Sequence, residues 1–311
     1  MNAPADTAAR PPLDAPVGLI GLGLVGQALG RRLQEAGTAV VGYDLREEAR
    51  AAFAARGGAL ADSVRALGAC APCVVLAVFD TNGVLDCVEG DAGLLSAPTP
   101  ATQLLIDCST GDPDRLAALE RRLQARGIDF IEAPLSGSSE QIGAGQATML
   151  VGAEPAALDR AAPLLDRLAT QRVHAGGPGM GARAKLATNL VLGLNRAVLA
   201  EGMVFAEGLG IAPAAFLELV LATPARSAAA EIKGRLMVEE RFEPQSRIRQ
   251  HLKDVDLMLA AAAAQGQALP LSEAHAALMR GAVQAGDGEL DNAAIVRQLR
   301  RLHRPTSSSN P

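Results

Sequence analysis

The chain has 311 residues, 49% hydrophobic and 20% charged, a composition of globular proteins with length enough for two domains. A formal net charge of −5 offers no basic face to nucleic acid, and six Phe, one Tyr and no Trp offer no stacking platform for single-stranded bases. No pair of the four His has zinc spacing. Cys70 and Cys73 form a C-x-x-C, but the apolar run after Cys73 puts it at a strand start rather than the helix N-terminus a redox thiolate prefers. These are expected to be structural thiols.

Residues 1–16 mix Ala, Pro, Asp and Arg without an apolar core and read as a disordered lead. No targeting or membrane-spanning segment is expected, since the Ala-rich run 257–264 is too short to cross a bilayer, and a cytoplasmic location follows. From Val17 short apolar runs at 17–20, 39–43, 73–78, 104–107, 128–131 and 148–151 read as buried strands. Between them lie helical patterns such as Val25, Leu29, Leu33 and Leu116, Leu119, Leu123, and Asp112-Pro113 is a helix start. This alternation predicts an α/β Rossmann domain over 17–178, doubly wound around a mostly parallel sheet.

Near His174 the pattern stops. Gly176, Gly177, Pro178 and Gly179 make a hinge, and beyond it strand patterns disappear. A long helix is expected over 181–208, with others near 213–221, 226–238, 248–265 and 270–284, punctuated by Pro213, Pro224, Pro244 and Pro270. Residues 179–303 therefore read as an all-helical C-terminal domain for substrate and oligomerisation, followed by a polar tail at 304–311.

Gly21-Leu22-Gly23-Leu24-Val25-Gly26 follows the first strand and opens the first helix. Gly21 allows the tight turn, Gly23 a close approach of backbone to pyrophosphate, and Gly26 close packing of helix on strand. Asp44 ends the second strand about 20 residues on, where a carboxylate can meet the ribose hydroxyls. It favours NAD, because it would repel a 2′-phosphate. Arg46 is either a clamp for that phosphate, which keeps NADP open, or a solvated charge facing Glu47 and Glu48. Phe79-Asp80 and Ser109-Thr110 follow later strands, where turn and cap chemistry competes with contact to the nicotinamide half.

The segment Ala133-Pro134-Leu135-Ser136-Gly137-Ser138 offers hydroxyls and backbone amides suited to a carboxylate. In Gly179-Met180-Gly181-Ala182-Arg183-Ala184-Lys185, continued to Asn189, Lys185 and Asn189 share one helix face, beside an expected packing stripe of Leu186, Leu190, Leu194 and Val198. Beside an apolar surface a Lys can exchange a proton near neutrality, whereas an ordinary surface Lys gives the same pattern.

These motifs together resemble the β-hydroxyacid dehydrogenases, the group of 3-hydroxyisobutyrate dehydrogenase and tartronate semialdehyde (2-hydroxy-3-oxopropionate) reductase, related to 6-phosphogluconate dehydrogenase. Four match in order: the glycine turn, A-P-x-S-G at 133–137, G-x-G-x-x-x-K-x-x-x-N from Gly179 to Asn189, and Lys253-Asp254 in a late helix. The resemblance, over about 17–285, implies Lys185 as the acid/base and Ser136, Gly137 and Ser138 as the carboxylate holder. It further implies Asn189 on the hydroxyl or carboxylate, Lys253 closing on the cofactor with Asp254 as local support, and Arg226 on the substrate side.

Glu132 stands where Asp is more usual, and Ser138 where many members have Gly. The run before Lys253 is unusually polar, so Arg247, Arg249 and His251 either reach the pocket or form an exposed helix face. The expected activity is hydride transfer between NAD(P) and a small β-hydroxy acid or its semialdehyde, in a homodimer or homotetramer with a small carboxylate-bearing substrate. Rival readings are an imine reductase of the same fold, which usually lacks the Lys, and a cofactor-binding regulator without turnover.

Overall fold

The computed structural model describes residues 15–303; the expected lead up to Asp14 and the tail from Arg304 lie outside them. The chain divides into two compact units, one running through Lys185 and the other from Leu186.

In the first unit the described strands are β1 (Val17–Ile20), β2 (Val40–Tyr43), β3 (Ala59–Leu60), β4 (Cys73–Leu76), β5 (Leu104–Asp107), β6 (Asp129–Glu132), β7 (Leu135–Ser136), β8 (Thr148–Gly152) and β9 (Gln171–Gly176). They form one sheet in the order β3-β2-β1-β4-β5-β6-β8-β7, with β9 also on β8. Pairing is parallel from β3 to β6, antiparallel between β8 and both β6 and β7, and parallel again between β8 and β9. The connecting helices are α1 (Leu24–Glu35), α2 (Glu47–Ala54), α3 (Val64–Cys70), α4 (Thr81–Glu89), α5 (Pro113–Gln124), α6 (Ser139–Gly143) and α7 (Pro155–Leu168).

Because side chains alternate along a strand, each sheet face has its own core. Leu19, Val75, Ile106 and Ile131 face one side with Leu29 and Leu33 of α1. Ile20, Val74, Leu76, Leu105 and Phe130 face the other with Leu116 and Leu119 of α5. A sheet covered on both faces needs continuous apolar strands, which is why the central strands were legible. The Asp112 cap forms as expected, its carboxylate accepting from the Asp114 and Arg115 amides. β9 was not expected. It is an edge strand whose side chains from Gln171 to His174 are exposed, so no apolar run marks it.

The helices that follow are α8 (Met180–Gly208), which begins in the first unit and continues into the second, then α9 (Pro213–Ala222), α10 (Ala228–Val238), α11 (Ile248–Ala264), α12 (Pro270–Gln284) and α13 (Ile295–Leu302). Leu199, Ala200 and Met203 of α8 pack with Met237, Ile248, Val255, Met258, Met279 and Ile295 in the core of the second unit. The expected stripe fails at its last member, since Val198 is 66% exposed while Leu199 is buried. Steps of four residues overrun a 3.6-residue turn by about 40° each, so three steps carry Val198 off the face that Leu186 starts.

α8 is also the one described helix that is long and apolar enough, by length and composition alone, to cross a membrane. Its buried Lys185, Asn189 and Arg196 are side chains that would be costly in lipid, and they fit a core helix of a globular protein.

Candidate active site

Because β1, β2, β4, β5 and β6 run parallel, their C-terminal ends share one sheet edge, the usual ligand side of such folds. Gly21 leaves β1 with φ of +89°, and a Cβ there would lie 2.3 Å from the Ala77 carbonyl oxygen. A Cβ on Gly26 would come within 1.8 Å of the Gly21 oxygen, so only glycine lets α1 pack on the turn. α1 starts at Leu24 with no side-chain cap on Gly23 and no acidic residue in its first turn. Its first amides, in the Leu24 to Gly26 segment, are therefore open to an anion, and the cradle fits the pyrophosphate of a dinucleotide.

Asp44 is drawn onto this turn. One carboxylate oxygen accepts the Leu22 amide at 2.7 Å, and the other accepts the Arg46 amide at 2.8 Å. The Arg46 guanidinium closes on both oxygens, at 3.2 and 3.1 Å. Burial raises the Asp44 carboxyl, but the Arg46 and Leu22 hydrogen bonds outweigh it and hold the group below the ordinary carboxylate range. The Arg46 guanidinium is correspondingly raised by its bond to Asp44. Arg46 thus folds back rather than reaching toward Glu47 in solvent, and the Arg50 guanidinium donates to the Asp44 carbonyl beside it at 2.6 Å.

The loops after β4 and β5 are tied together: the Ser109 hydroxyl accepts the Val78 amide at 3.0 Å, and the Thr81 hydroxyl accepts the Asp112 amide at 2.8 Å. Asp80 caps α4 through the Gly83 amide, which is cap chemistry, while Phe79 is 49% exposed beside it and Thr110 is partly exposed. The Cys73 thiol on β4 is pushed up to about 11 by burial, as befits a structural thiol. Among the described residues no group of His, Cys, Asp or Glu could hold a metal ion.

β7 carries Leu135 and Ser136. Gly137 follows with φ of +156°, and Ser138 caps α6 in a reciprocal capping box with Gln141. The Lys185 amine does not reach bulk water. The residue is 7% exposed, and its Nζ donates to the Leu135 carbonyl at 2.6 Å. The acid/base candidate is therefore docked on the loop that holds the carboxylate-binding candidates. Sequence reasoning noted Glu132 only as a departure. Its buried carboxylate accepts the Gly179 amide at 2.5 Å and the Ala182 amide at 2.8 Å. A carboxylate four residues before the loop Ser136 was the available sign, but its amide partners lie some fifty residues on and leave no local pattern.

In the second unit, Asn189 is buried and donates to Asp254 at 3.1 Å, and Asp254 pairs with Lys253 at 2.8 Å. Asp254 therefore links two of the sequence-predicted residues. Arg226 is exposed and paired with Glu231. Arg247, partly buried, and Arg249, exposed, both turn to Glu289, at 3.3 and 2.9 Å. His251 instead packs inward against His275, with ring centroids 5.4 Å apart.

The chain is similar to known proteins over most of its length. The NAD-binding domain of 6-phosphogluconate dehydrogenase matches residues 16–177, and the NAD-binding domain of NADP-dependent 3-hydroxyisobutyrate dehydrogenase matches residues 179–299. The chain is 28% identical to 2-(hydroxymethyl)glutarate dehydrogenase of Eubacterium barkeri, over 90% of this chain and 93% of that one. It is 27% identical to 2-hydroxy-3-oxopropionate reductase of Escherichia coli K12, over 91% and 96%. The crystal structure of 3-hydroxyisobutyrate dehydrogenase from Salmonella typhimurium, 26% identical, superimposes with a TM-score of 0.82 over 91% of this chain and 99% of that one. With a dinucleotide cradle, a strand-end carboxylate and a buried α8 lysine bonded to Leu135, the chain belongs to the β-hydroxyacid dehydrogenase family of NAD(P)-dependent oxidoreductases.

Proposed function

We propose that this protein interconverts a small β-hydroxy acid and its semialdehyde, of the 3-hydroxyisobutyrate or tartronate semialdehyde type, with Lys185 as general acid/base. The observation that carries the reading is the buried Lys185 amine, hydrogen-bonded to the Leu135 carbonyl beside Ser136, Gly137 and Ser138. NAD(P), held by the glycine turn and Asp44, supplies the hydride chemistry. The Ser136–Ser138 loop orients the substrate carboxylate through hydroxyl and amide donors. In reduction the Lys185 ammonium donates a proton to the developing alkoxide at the substrate oxygen, and in oxidation the neutral amine takes it back. A lysine already bonded to a fixed carbonyl acts from a set position, the condition for efficient proton transfer.

By family resemblance Asn189 anchors the substrate hydroxyl or carboxylate, Arg226 lies on the substrate side, and Lys253 closes on the cofactor. We further propose a cytoplasmic homodimer or homotetramer. Exposed Val191, Val198 and Phe205, spaced seven apart along α8, support self-association, since such a stripe is the seam of helix pairing.

The test is a panel of carboxylate semialdehydes and cyclic imines, followed by nicotinamide absorbance with each cofactor. Turnover of a semialdehyde, not of an imine, is expected. Lys185→Ala should lower turnover by ~10²–10⁴-fold while cofactor affinity by fluorescence titration stays unchanged. Wild-type turnover in that variant would remove Lys185 from the mechanism. Cofactor binding without turnover of any substrate would leave a regulator.

A further inference from the structure

Two rungs join the loop after β6 to the start of α8. One is the Lys185 amine on the Leu135 carbonyl. The other lies three residues earlier on both segments, where Glu132 meets Ala182 and, with its second oxygen, Gly179. We propose that Glu132 is a positioning residue: its carboxylate pins the first turn of α8 to the root of the 133–138 loop and so fixes where the Lys185 amine stands. The assignment rests on the acid/base reading of Lys185 given above.

The physical case is local. The opening amides of a helix have no partner within it, and a carboxylate there both accepts them and meets the positive end of the helix dipole. Glu132 is 1% exposed, so its charge-assisted bonds are not screened by water. The first turn of α8 also lies flush on the sheet, for a Cβ on Gly181 would stand 3.0 Å from the Glu132 Cβ and 2.8 Å from the Gly152 amide nitrogen. The loop is held from below as well, by the Ala133 amide on the Asp107 carbonyl and the Leu150 amide on the Pro134 carbonyl. With loop and helix both held, the position of Lys185 follows from the rung that joins them.

The charged groups facing Glu132 are Asp107 of β5, Glu120 of α5 and Arg183 of α8. Burial, aided by Asp107, pushes its carboxyl up to about 7 against the pull of the two amides and of Arg183. The pinning carboxylate is therefore lost as pH falls through neutrality, and turnover should show an acid limb there.

The experiment uses the full chain with Glu132→Gln and Glu132→Asp. Gln is close to isosteric but turns an amide donor toward one of the two N–H groups. Asp keeps the charge but is a methylene too short to reach both unshifted. Turnover should fall at least tenfold in Glu132→Gln and less in Glu132→Asp, with nicotinamide affinity by fluorescence unchanged and KM moved less than kcat. The acid limb near 7 should vanish in Glu132→Gln. Acetic anhydride should label Lys185 faster in both variants than in wild type, read by peptide mass spectrometry.

A folded Glu132→Gln with wild-type kcat and pH profile would overturn the assignment. If the Gln variant does not fold, Glu132→Asp with wild-type kcat and wild-type labelling would do the same. A wild-type protein that turns over no semialdehyde defeats the functional reading instead, and the labelling comparison still tests the positioning.

Discussion

Both Asp44 oxygens are occupied within the protein, by the Leu22 amide, the Arg46 amide and the Arg46 guanidinium. An aspartate at the end of β2 usually repels a 2′-phosphate, yet this one is charge-neutralised by the side chain best placed to bind that phosphate. Arg46 is half exposed and can leave Asp44 for a phosphate at little cost. Arg46→Ala should thus weaken NADP binding by about 10–100-fold, the worth of a hydrogen bond to a charged group, and leave NAD binding nearly unchanged. Asp44→Ala should do the opposite by freeing Arg46. Equilibrium fluorescence titrations of both variants with each reduced cofactor check this. Equal losses for the two cofactors in Arg46→Ala would mean that Arg46 serves only to hold Asp44. The sequence showed both residues at the correct place but not their mutual bond, because facing Glu47 and Glu48 in solvent was an equally good local solution.

The same division between local and distant information appears in the helices and strands. The central strands, the glycine turn and the Asp112 cap were readable because apolar runs, glycine spacing and capping residues act within a few positions. β9 was hidden because an exposed edge strand needs no apolar run, and β7 because two residues make no period. The role of Asp291 was hidden because its partners come from two distant segments. It is fully buried, and its carboxylate accepts Lys233 Nζ at 2.9 Å and the amides of Gln245, Ser246 and Ala293. This fastens the segment that leads into α11, the helix bearing Lys253 and Asp254. Asp291→Ala removes the carboxylate from a buried ammonium and from three amides, and should cost about 3–5 kcal/mol in urea unfolding. A loss below about 1 kcal/mol would show that the second unit repacks around Lys233 without it.

For the molecule as a whole, the buried ionisable groups set opposite responses to pH in the two units. In the second, His275 is 3% exposed, and among the described residues neither ring nitrogen has a hydrogen-bond partner. Burial, with help from the nearby positive Arg196, pushes its pKa down from 6.5 to about 4. The folded state holds this ring neutral while the unfolded chain protonates it, so stability present above 6.5 is lost as pH falls toward 4, by about 3 kcal/mol. In the first unit, burial pushes Glu120 and Glu132 up to about 7, with the Glu132 charge adding to Glu120 and Asp107 to Glu132. There the sign reverses: the folded state keeps protons that the unfolded chain releases, so stability is greatest below 4.5 and falls as pH rises through 7. Acidification from 7 to 5 therefore costs the helical unit stability while it adds net stability to the sheet-bearing one, even though the Glu132 pin there is released.

His275→Met separates the two effects, since it removes the titrating ring without removing a hydrogen bond. Its stability should change less than that of wild type between pH 7 and 5, and the helical unit should no longer be the first to unfold in acid. Hydrogen exchange resolved by peptide reads each unit by itself. If wild type and His275→Met lose protection in α11 and α12 equally on acidification, then His275 is not the group that makes the helical unit acid-sensitive.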